Sequence, residues 1–307
     1  MNERGFALVA VLLVLGLLGV VGAEFAQSMR LEASAVRAYK ESITAAHLAE
    51  AGVEQAIREI SAEVAFAVVA DDGLLTFYTR ERQPLPRLLR AQAPLGPGAF
   101  SYRITDEEAR LNLNTSPPDR VDRLLQGLGV DKRDRDVIVD SIQDWRDPND
   151  EHRANGAETE DYYLKLPVPY RAHNSNIESI QELIQIRGIT PKIFNGYERT
   201  PGLVDLVTVK SPGSTVNINT AGVPVLRALG LSEADISMVT QTRQNGLFVA
   251  VPGQLAGRGL TVSTRTFRID AEGLVNGQVR ARLTAIVQKR AEGPNPSVAV
   301  LEWSGFR

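Results

Sequence analysis

RGFALVAVLLVLGLLGVVGA, residues 4–23, decides how the rest of the chain is read. From Phe6 to Ala23 no side chain is charged or strongly polar. As a helix this run is about 27 Å long, close to the ~30 Å hydrocarbon core of a bilayer. Gly16, Gly19 and Gly22 recur at three-residue spacing on one ridge, where small residues let helices approach closely inside a membrane or a filament core. Arg4 precedes the run and Arg30 follows well after it; by the positive-inside rule this favours a cytoplasmic N-terminus.

A secretory signal peptide has similar hydropathy, but three features oppose it. Only Glu3 and Arg4 are charged ahead of the run, and no A-x-A cleavage site follows it. The helical pattern also continues. Between Glu24 and Ile60 there is no proline, and Gly52 is the single breaker among many Ala, Glu, Leu and Arg. Leu31, Ala35, Ala38, Ala45, Leu48, Ala49, Val53, Ala56 and Ile60 draw one apolar stripe at spacings mostly of three, four or seven. The pattern predicts one helix from Phe6 to about Ile60, on the order of 80 Å long. It is apolar all round in its first half, with 6–23 transmembrane, and amphipathic in its second.

The whole chain has 307 residues, 43% hydrophobic and 23% charged, with a net charge of −3. That is room for two domains, or for one domain with a large insertion. The composition is too apolar for a disordered chain and lacks the basic excess of a nucleic-acid binder. There is no cysteine, which excludes disulfides, zinc–thiolate sites, iron–sulfur clusters and thiol nucleophiles.

Beyond the helix, residues 71–97 are rich in Pro, Gly, Asp and Arg and read as turns and irregular chain. Phe100 to Ile104 alternates apolar and polar, as does Thr266 to Asp270, each the mark of a half-buried strand. Asn276-Gly277 is a two-residue hairpin signal. After it Val279, Ala281, Leu283, Ala285 and Val287 fall on one face. The expectation is an α+β fold, a long N-terminal helix packed on an antiparallel sheet, with a large all-α domain inserted into that sheet.

The insertion carries an internal repeat. Leu111-Asn112-Leu113-Asn114-Thr115 and Val216-Asn217-Ile218-Asn219-Thr220 each precede a short apolar-periodic helix, ending at Gly129 and Gly230 respectively. Thr115 and Thr220 are read as N-caps and the two glycines as C-caps with positive φ. Ile177 to Ile186 reads as an amphipathic helix ending at Gly188, and Pro191 opens another. Helix–Gly–helix hairpins raise a DNA-binding reading. Charge opposes it. Eight acids face six bases from Asp106 to Asp136, and the second copy sets Arg227 and Arg243 against Glu233 and Asp235. Phosphate binding needs a cationic patch, so no nucleic-acid partner is expected.

The most acidic stretch runs from Asp140 to Asp161: eight acids against Arg146 and Arg153, a net charge of −6. Asp147-x-Asn149-x-Glu151 with Glu158 has EF-hand-like spacing, but His152 stands where that loop requires glycine. The residues alone leave two readings open, a hard cation such as calcium or a solvated acidic face. No enzyme is expected. H-E-x-x-H, G-x-S-x-G and the phosphate-binding G-x4-G-K-[ST] are all missing, and His47, His152 and His173 are scattered. Nothing beside Asp144 and Asp147 suggests a sugar cleft for a carboxylate pair.

Arg4-Gly5-Phe6 ahead of an apolar helix resembles the prepilin peptidase site of type IV pilins and pseudopilins. The resemblance implies cleavage after Gly5 and methylation of the new N-terminal Phe6. Major pilins carry a glutamate at the fifth mature position, where this chain has Ala10. A carboxylate in an apolar filament core is costly without a partner charge, so its loss suits a subunit with no neighbour above it. Leu48-Ala49-Glu50-Ala51-Gly52-Val53-Glu54, both N-x-N-T motifs, Asp144-Trp145-Arg146-Asp147-Pro148-Asn149-Asp150, Gly156-Ala157-Glu158 and Asp161-Tyr162-Tyr163 together resemble one family. It is minor pseudopilin K of the type II secretion system.

The resemblance implies a single-pass protein of the bacterial inner membrane with its bulk in the periplasm. It implies a place at the pseudopilus tip with minor pseudopilins I and J, then H, after processing by prepilin peptidase. The runner-up is a minor pilin at a type IV pilus tip. The expected organisation is leader 1–5, helix 6–60, a first pilin-like part 61–110, helical insertion 111–260 and a second pilin-like part 261–307. The resemblance also implies structural calcium in the insertion. Asp147, Asn149, Asp150, Glu158 and Asp161, with Asp144, are the ligand candidates.

Overall fold

The computed structural model of the chain describes residues 3–62, 64–70, 72–290 and 297–305. Met1 and Asn2 of the leader lie outside the described residues, and for Gly5 and Phe6 only the helical backbone is described. Helix α1 (Glu3–Ser61) is continuous. From Leu8 it carries an 18-residue window of mean hydropathy 2.5 in which nothing is buried, long and apolar enough to cross a membrane.

Five antiparallel strands form the sheet: β3 (Ala93–Leu95), β4 (Gly98–Asp106), β5 (Thr266–Val275), β6 (Gln278–Arg290) and β7 (Ser297–Ser304). Their spatial order is β7-β6-β5-β4-β3. Asn276 and Gly277, with φ of 54° and 74°, make the tight turn from β5 to β6; two residues in left-handed conformation match the twist of a hairpin. A separate hairpin of β1 (Phe66–Val69) and β2 (Leu75–Tyr78) precedes the sheet. It falls across the start of the stretch that composition reads as irregular. Four-residue strands amid Asp, Gly and Arg are too short for alternation to register.

The helix meets the sheet through small residues. Ala45, Leu48, Ala49, Val53, Ala56 and Ile60 are buried against Phe100, Tyr102, Ile104, Ile269, Ala271, Leu283 and Ala285. Gly52 lies so close that an added Cβ would sit 3.3 Å from the Cβ of Ala271. The start of the predicted stripe behaves otherwise. Leu31, Ala35 and Ala38 are exposed, together with Val36, Tyr39 and Ile43, because the helix runs on past the end of the sheet and nothing among the described residues covers them. At the other end Glu59 is buried against Arg90 and accepts hydrogen bonds from the Tyr102 hydroxyl (2.6 Å) and the Leu88 amide (3.1 Å). These contacts tie the irregular segment before β3 to the helix.

Residues 107–265 leave the sheet after β4 and return to it at β5, its hydrogen-bonded neighbour. They fold around a second hydrophobic cluster of their own. Helices α2 (Pro118–Gly127), α3 (Lys132–Arg146), α4 (Pro191–Asn195), α5 (Leu203–Leu206), α6 (Val223–Ala228) and α7 (Glu233–Asn245) supply most of it. Two short parallel pairings add to this helical content, Leu111–Asn112 with Val207–Thr208 and Val216–Asn217 with Leu260–Thr261.

The repeat has a structural meaning that caps do not capture. Asn112 and Asn217 each accept the amide two residues on, at 2.8 and 3.0 Å. Asn114 then bonds both the amide and the carbonyl of Ile177, and Asn219 does the same to Phe248. Each pair of asparagines thus turns the chain and satisfies the backbone of a distant segment. Thr115 and Thr220 are not N-caps. Pro117 and Gly222 hold those positions, with prolines in the first turn pre-setting φ. Gly129 and Gly230 do take positive φ, 77° and 81°. The segment read as a helix over 177–186 is a 3-10 helix at Ile180–Gln185 capped by Ser179, and the Ile177 amide ahead of it is engaged by Asn114.

Where the two parts join, Asp106 is buried and accepts four hydrogen bonds. They come from Asn217 Nδ2 (2.8 Å), Thr220 Oγ1 (2.6 Å), Thr264 Oγ1 (2.6 Å) and the Glu108 amide (2.8 Å). Burial pushes its carboxyl above the usual range, and the Thr220, Thr264 and Asn217 bonds oppose that shift. Beside it Glu107 pairs with Arg110 and Arg268, and Glu108 accepts the amides of Arg265 and Thr266.

Candidate metal centre

Helix α3 delivers Asp144 and Asp147 to one place, Asp144 in its last turn and Asp147 as its C-cap. The helix stops here because Pro148 cannot continue it and restricts the residue before it. The following loop folds back over the helix end. Asp140 accepts the Asn155 amide and side chain, both at 3.0 Å. Gly156 passes so close to Asp144 that a Cβ there would lie 1.7 Å from its Oδ2, which requires glycine at that position. Beneath the loop Trp145, Tyr163 and Tyr170 pack edge-on or tilted with ring centroids 5.2–6.3 Å apart.

Of the six predicted ligands, Asp144, Asp147, Asp150 and Glu158 form one electrostatic neighbourhood. Glu158 is 2% exposed, and the Thr159 amide is the one hydrogen-bonding group that opposes the rise of its carboxyl. Burial, then the charge of Asp144 and those of Asp147 and Asp150, pushes its carboxyl up to about 7. Burial also raises Asp144, against its bonds to Arg153. Asn149 and Asp161 are partly used within the loop. Asn149 donates to Asp147 (2.7 Å) and accepts the Glu151 amide (2.8 Å), while Asp161 accepts the Glu158 amide (3.0 Å). Among the described residues no three carboxylate or imidazole groups converge on one point.

Two further residues enter that the acidic run did not mark. Arg153 Nη1 donates to both Asp144 Oδ1 and Asp147 Oδ2 at 2.6 Å. Asn174 arrives from beyond the loop in a left-handed conformation, φ 48°, and donates to Asp150 Oδ1 (2.9 Å) and the Asn149 carbonyl (3.3 Å). Its own Oδ1 is buried without a partner. Asparagine tolerates that conformation better than most residues, and the polar run 173–176 was its only signal.

The donors are all oxygen, which suits calcium rather than softer metals. A carboxylate buried among other acids is costly, and a divalent ion beside Glu158 would lower that cost.

Comparison with known proteins agrees with the fold. A family model described as type II secretion system (T2SS), protein K, matches residues 104–200. Type II secretion system protein K of Pectobacterium carotovorum subsp. carotovorum is 32% identical over 162 residues, 47% of this chain and 48% of the relative. The match thus spans about half the length of that relative. The protein of the same name from Pseudomonas aeruginosa is 29% identical over 252 residues, covering 74% of this chain and 68% of the relative. A putative protein K from Escherichia coli K12 is 26% identical over 260 residues, 79% and 75% respectively. Among solved structures, a chain of the GspK-GspI-GspJ complex from the enterotoxigenic Escherichia coli type 2 secretion system superposes with a TM-score of 0.61. It is 20% identical, over 90% of this chain and 98% of that one. Family model and relatives point the same way: residues 104–200 match the protein K family of the type II secretion system, most of the chain is similar to proteins of that name, and the fold is that of the solved chain.

Proposed function

We propose that the chain is a minor pseudopilin that initiates and caps a short filament at the inner membrane and so helps expel folded proteins across the outer membrane. The observation that carries this is α1. Its first part is apolar all round, its middle exposes Leu31, Val36, Tyr39 and Ile43, and its last part is buried on its own sheet. Such a helix sits in the membrane before assembly and among neighbouring helices after it. The bulk of the chain then lies in the periplasm. The related complex, titled as GspK with GspI and GspJ, supports minor pseudopilins I and J as partners here, with H following. Prepilin peptidase would release the chain at Phe6. Intact mass of the assembled protein is expected to show a start at Phe6 with a methylated amine; a start between Ala23 and Ser28 contradicts the filament reading. Deleting the chain is expected to abolish secretion, and the chain should co-purify with I and J; secretion at wild-type levels without it would reject the role.

Within the inserted domain we propose a structural calcium site, held by Glu158, Asp147 and Asp150 with Asp144, and Asn149 and Asp161 on the same loop. The buried Glu158, with the charges of Asp144, Asp147 and Asp150 around it, supports it. The ion would supply charge compensation and tie the loop to α3. At a hundredfold excess over its dissociation constant, it would stabilise the fold by about 2.7 kcal/mol. Chelation is therefore expected to lower the melting temperature of the detergent-solubilised chain, and Glu158→Gln to remove most of that sensitivity. Identical melting in calcium and in chelator would leave a solvated acidic face.

A further inference from the structure

A cleft of about 870 Å³ opens where the chain leaves α1, turns after β2 and returns from the insertion to the sheet. Arg80, Arg265, Lys289 and Arg290 line it, and Glu81 is the one acid among its lining residues. That is a net charge of +3 in a chain whose total is −3. Arg80, Arg265 and Arg290 are exposed, and their guanidiniums make no hydrogen bond or ion pair among the described residues. Elsewhere in the fold arginines are engaged. Arg110, Arg153 and Arg268 pair with carboxylates, and Arg120 and Arg243 donate to main-chain carbonyls. Glu81 does not neutralise the cleft. Its carboxyl is held below the usual range by its own amide, then by the Thr79 hydroxyl, with the charge of Arg80 adding a smaller contribution. Lys289 Nζ donates to the Ala62 carbonyl just past α1.

We infer that this cleft is a docking site for an extended acidic segment of a partner protein. Its walls are already tied together. The Ala65 amide donates to the Tyr78 carbonyl (2.9 Å), the Lys289 amide to the Arg265 carbonyl (2.7 Å), and Thr264 Oγ1 to Asp106 at the junction (2.6 Å). A preformed cleft spares an incoming chain the cost of ordering its receptor. Those same bonds select the ligand. A phosphate cradle is built from main-chain amides, and here the amides of Ala65 and Lys289 are spent on carbonyls and that of Arg265 on Glu108 (2.8 Å). Side-chain cations are what remain, spread over four positions rather than gathered round one point. Planar guanidiniums pair with carboxylates in a two-pronged fork. Val64, Ala65 and Phe66 add a half-buried apolar wall. Separated guanidiniums beside an apolar wall match a peptide in which acids alternate with apolar residues. The cleft also lies clear of the exposed helix face. Ser61 ends α1, about 27 Å along the helix from Ile43, so a segment seated here leaves Leu31, Val36, Tyr39 and Ile43 free for other helices.

Fluorescence anisotropy of a labelled short peptide, Glu alternating with Leu and Ala, tests this with the full chain in nonionic detergent. The peptide is expected to bind at low salt and to weaken severalfold as ionic strength rises, since exposed charge pairs are screened. Arg265→Glu together with Arg290→Glu should weaken it about tenfold, by removing two attractions and adding two repulsions. Arg133→Glu, an exposed cation on α3 outside the cleft, should leave binding unchanged. Equal weakening by Arg133→Glu would mean attraction to overall charge and overturn the site, as would no binding at all. Two arms use the wild type alone, should the double variant fail to fold. A peptide with Gln in place of Glu is expected not to bind; equal binding overturns recognition of carboxylates. Inorganic phosphate, or a DNA duplex, that displaces the peptide at equal concentration would assign the cleft to phosphate and overturn the peptide reading.

Discussion

Asp106→Ala is expected to destabilise the chain by about 4 kcal/mol, read as a shift in the midpoint of denaturant unfolding in detergent. The carboxylate is buried and accepts from four donors, and those on Asn217, Thr220 and Thr264 all belong to the inserted part or its return. Removing the acceptor strands several buried donors at once, at about 1–3 kcal/mol for each that finds no other partner. The loss should also change the shape of the transition. The junction couples two hydrophobic clusters, and without it the insertion and the sheet are expected to unfold in separate steps. Asp106→Asn retains one acceptor oxygen but turns an NH2 toward donors, so it should recover less than half of the loss. A single transition at the wild-type midpoint for Asp106→Ala would show that the network is dispensable.

Gly273→Val carries the second large effect. A Cβ at this position in β5 would lie 1.8 Å from the carbonyl oxygen of Ala45 in α1, a distance no side chain can occupy. The helix must lift off the sheet or β5 must shift, and overpacking at a rigid backbone contact is expected to cost about 3 kcal/mol or more. Gly127→Ala is the control. It ends α2 with open space around it and should be neutral or slightly stabilising. If both variants melt alike, the close approach of α1 to the sheet is not what holds them together.

The parts of this molecule legible in its sequence are those governed by long periodic patterns. Fifty-nine residues of helix follow from the absence of proline and the persistence of apolar spacing, and β4, β5 and β6 from alternation. The β1–β2 hairpin escaped because each strand has only four residues. Thr220 was read as a cap by a local rule, but its hydroxyl belongs to Asp106, 114 positions away; no local pattern contains such a contact. The acidic loop announced its charge but not its internal pairing. Arg153 counts in sequence as one of two bases diluting a run of acids. Folded, it bridges the two aspartates at the helix end. Asn174 was invisible for a related reason, since its role depends on a chain reversal that brings it beside Asp150.

The two crossings into the insertion lie on adjacent antiparallel strands, with Asp106 facing Phe267 in register. Cα atoms opposite each other in such a pair are about 5 Å apart, the span that an ordinary two-residue turn closes. The whole helical domain therefore stands where a hairpin turn would be. Topologically it is a cassette. It can be lengthened, exchanged or excised, with Asp106 joined to Phe267 by a tight turn, and the strand order, the register and the docking of the helix need not be rewired. A helix-and-sheet unit carries a bulky head in this way without altering the face on which its helix docks.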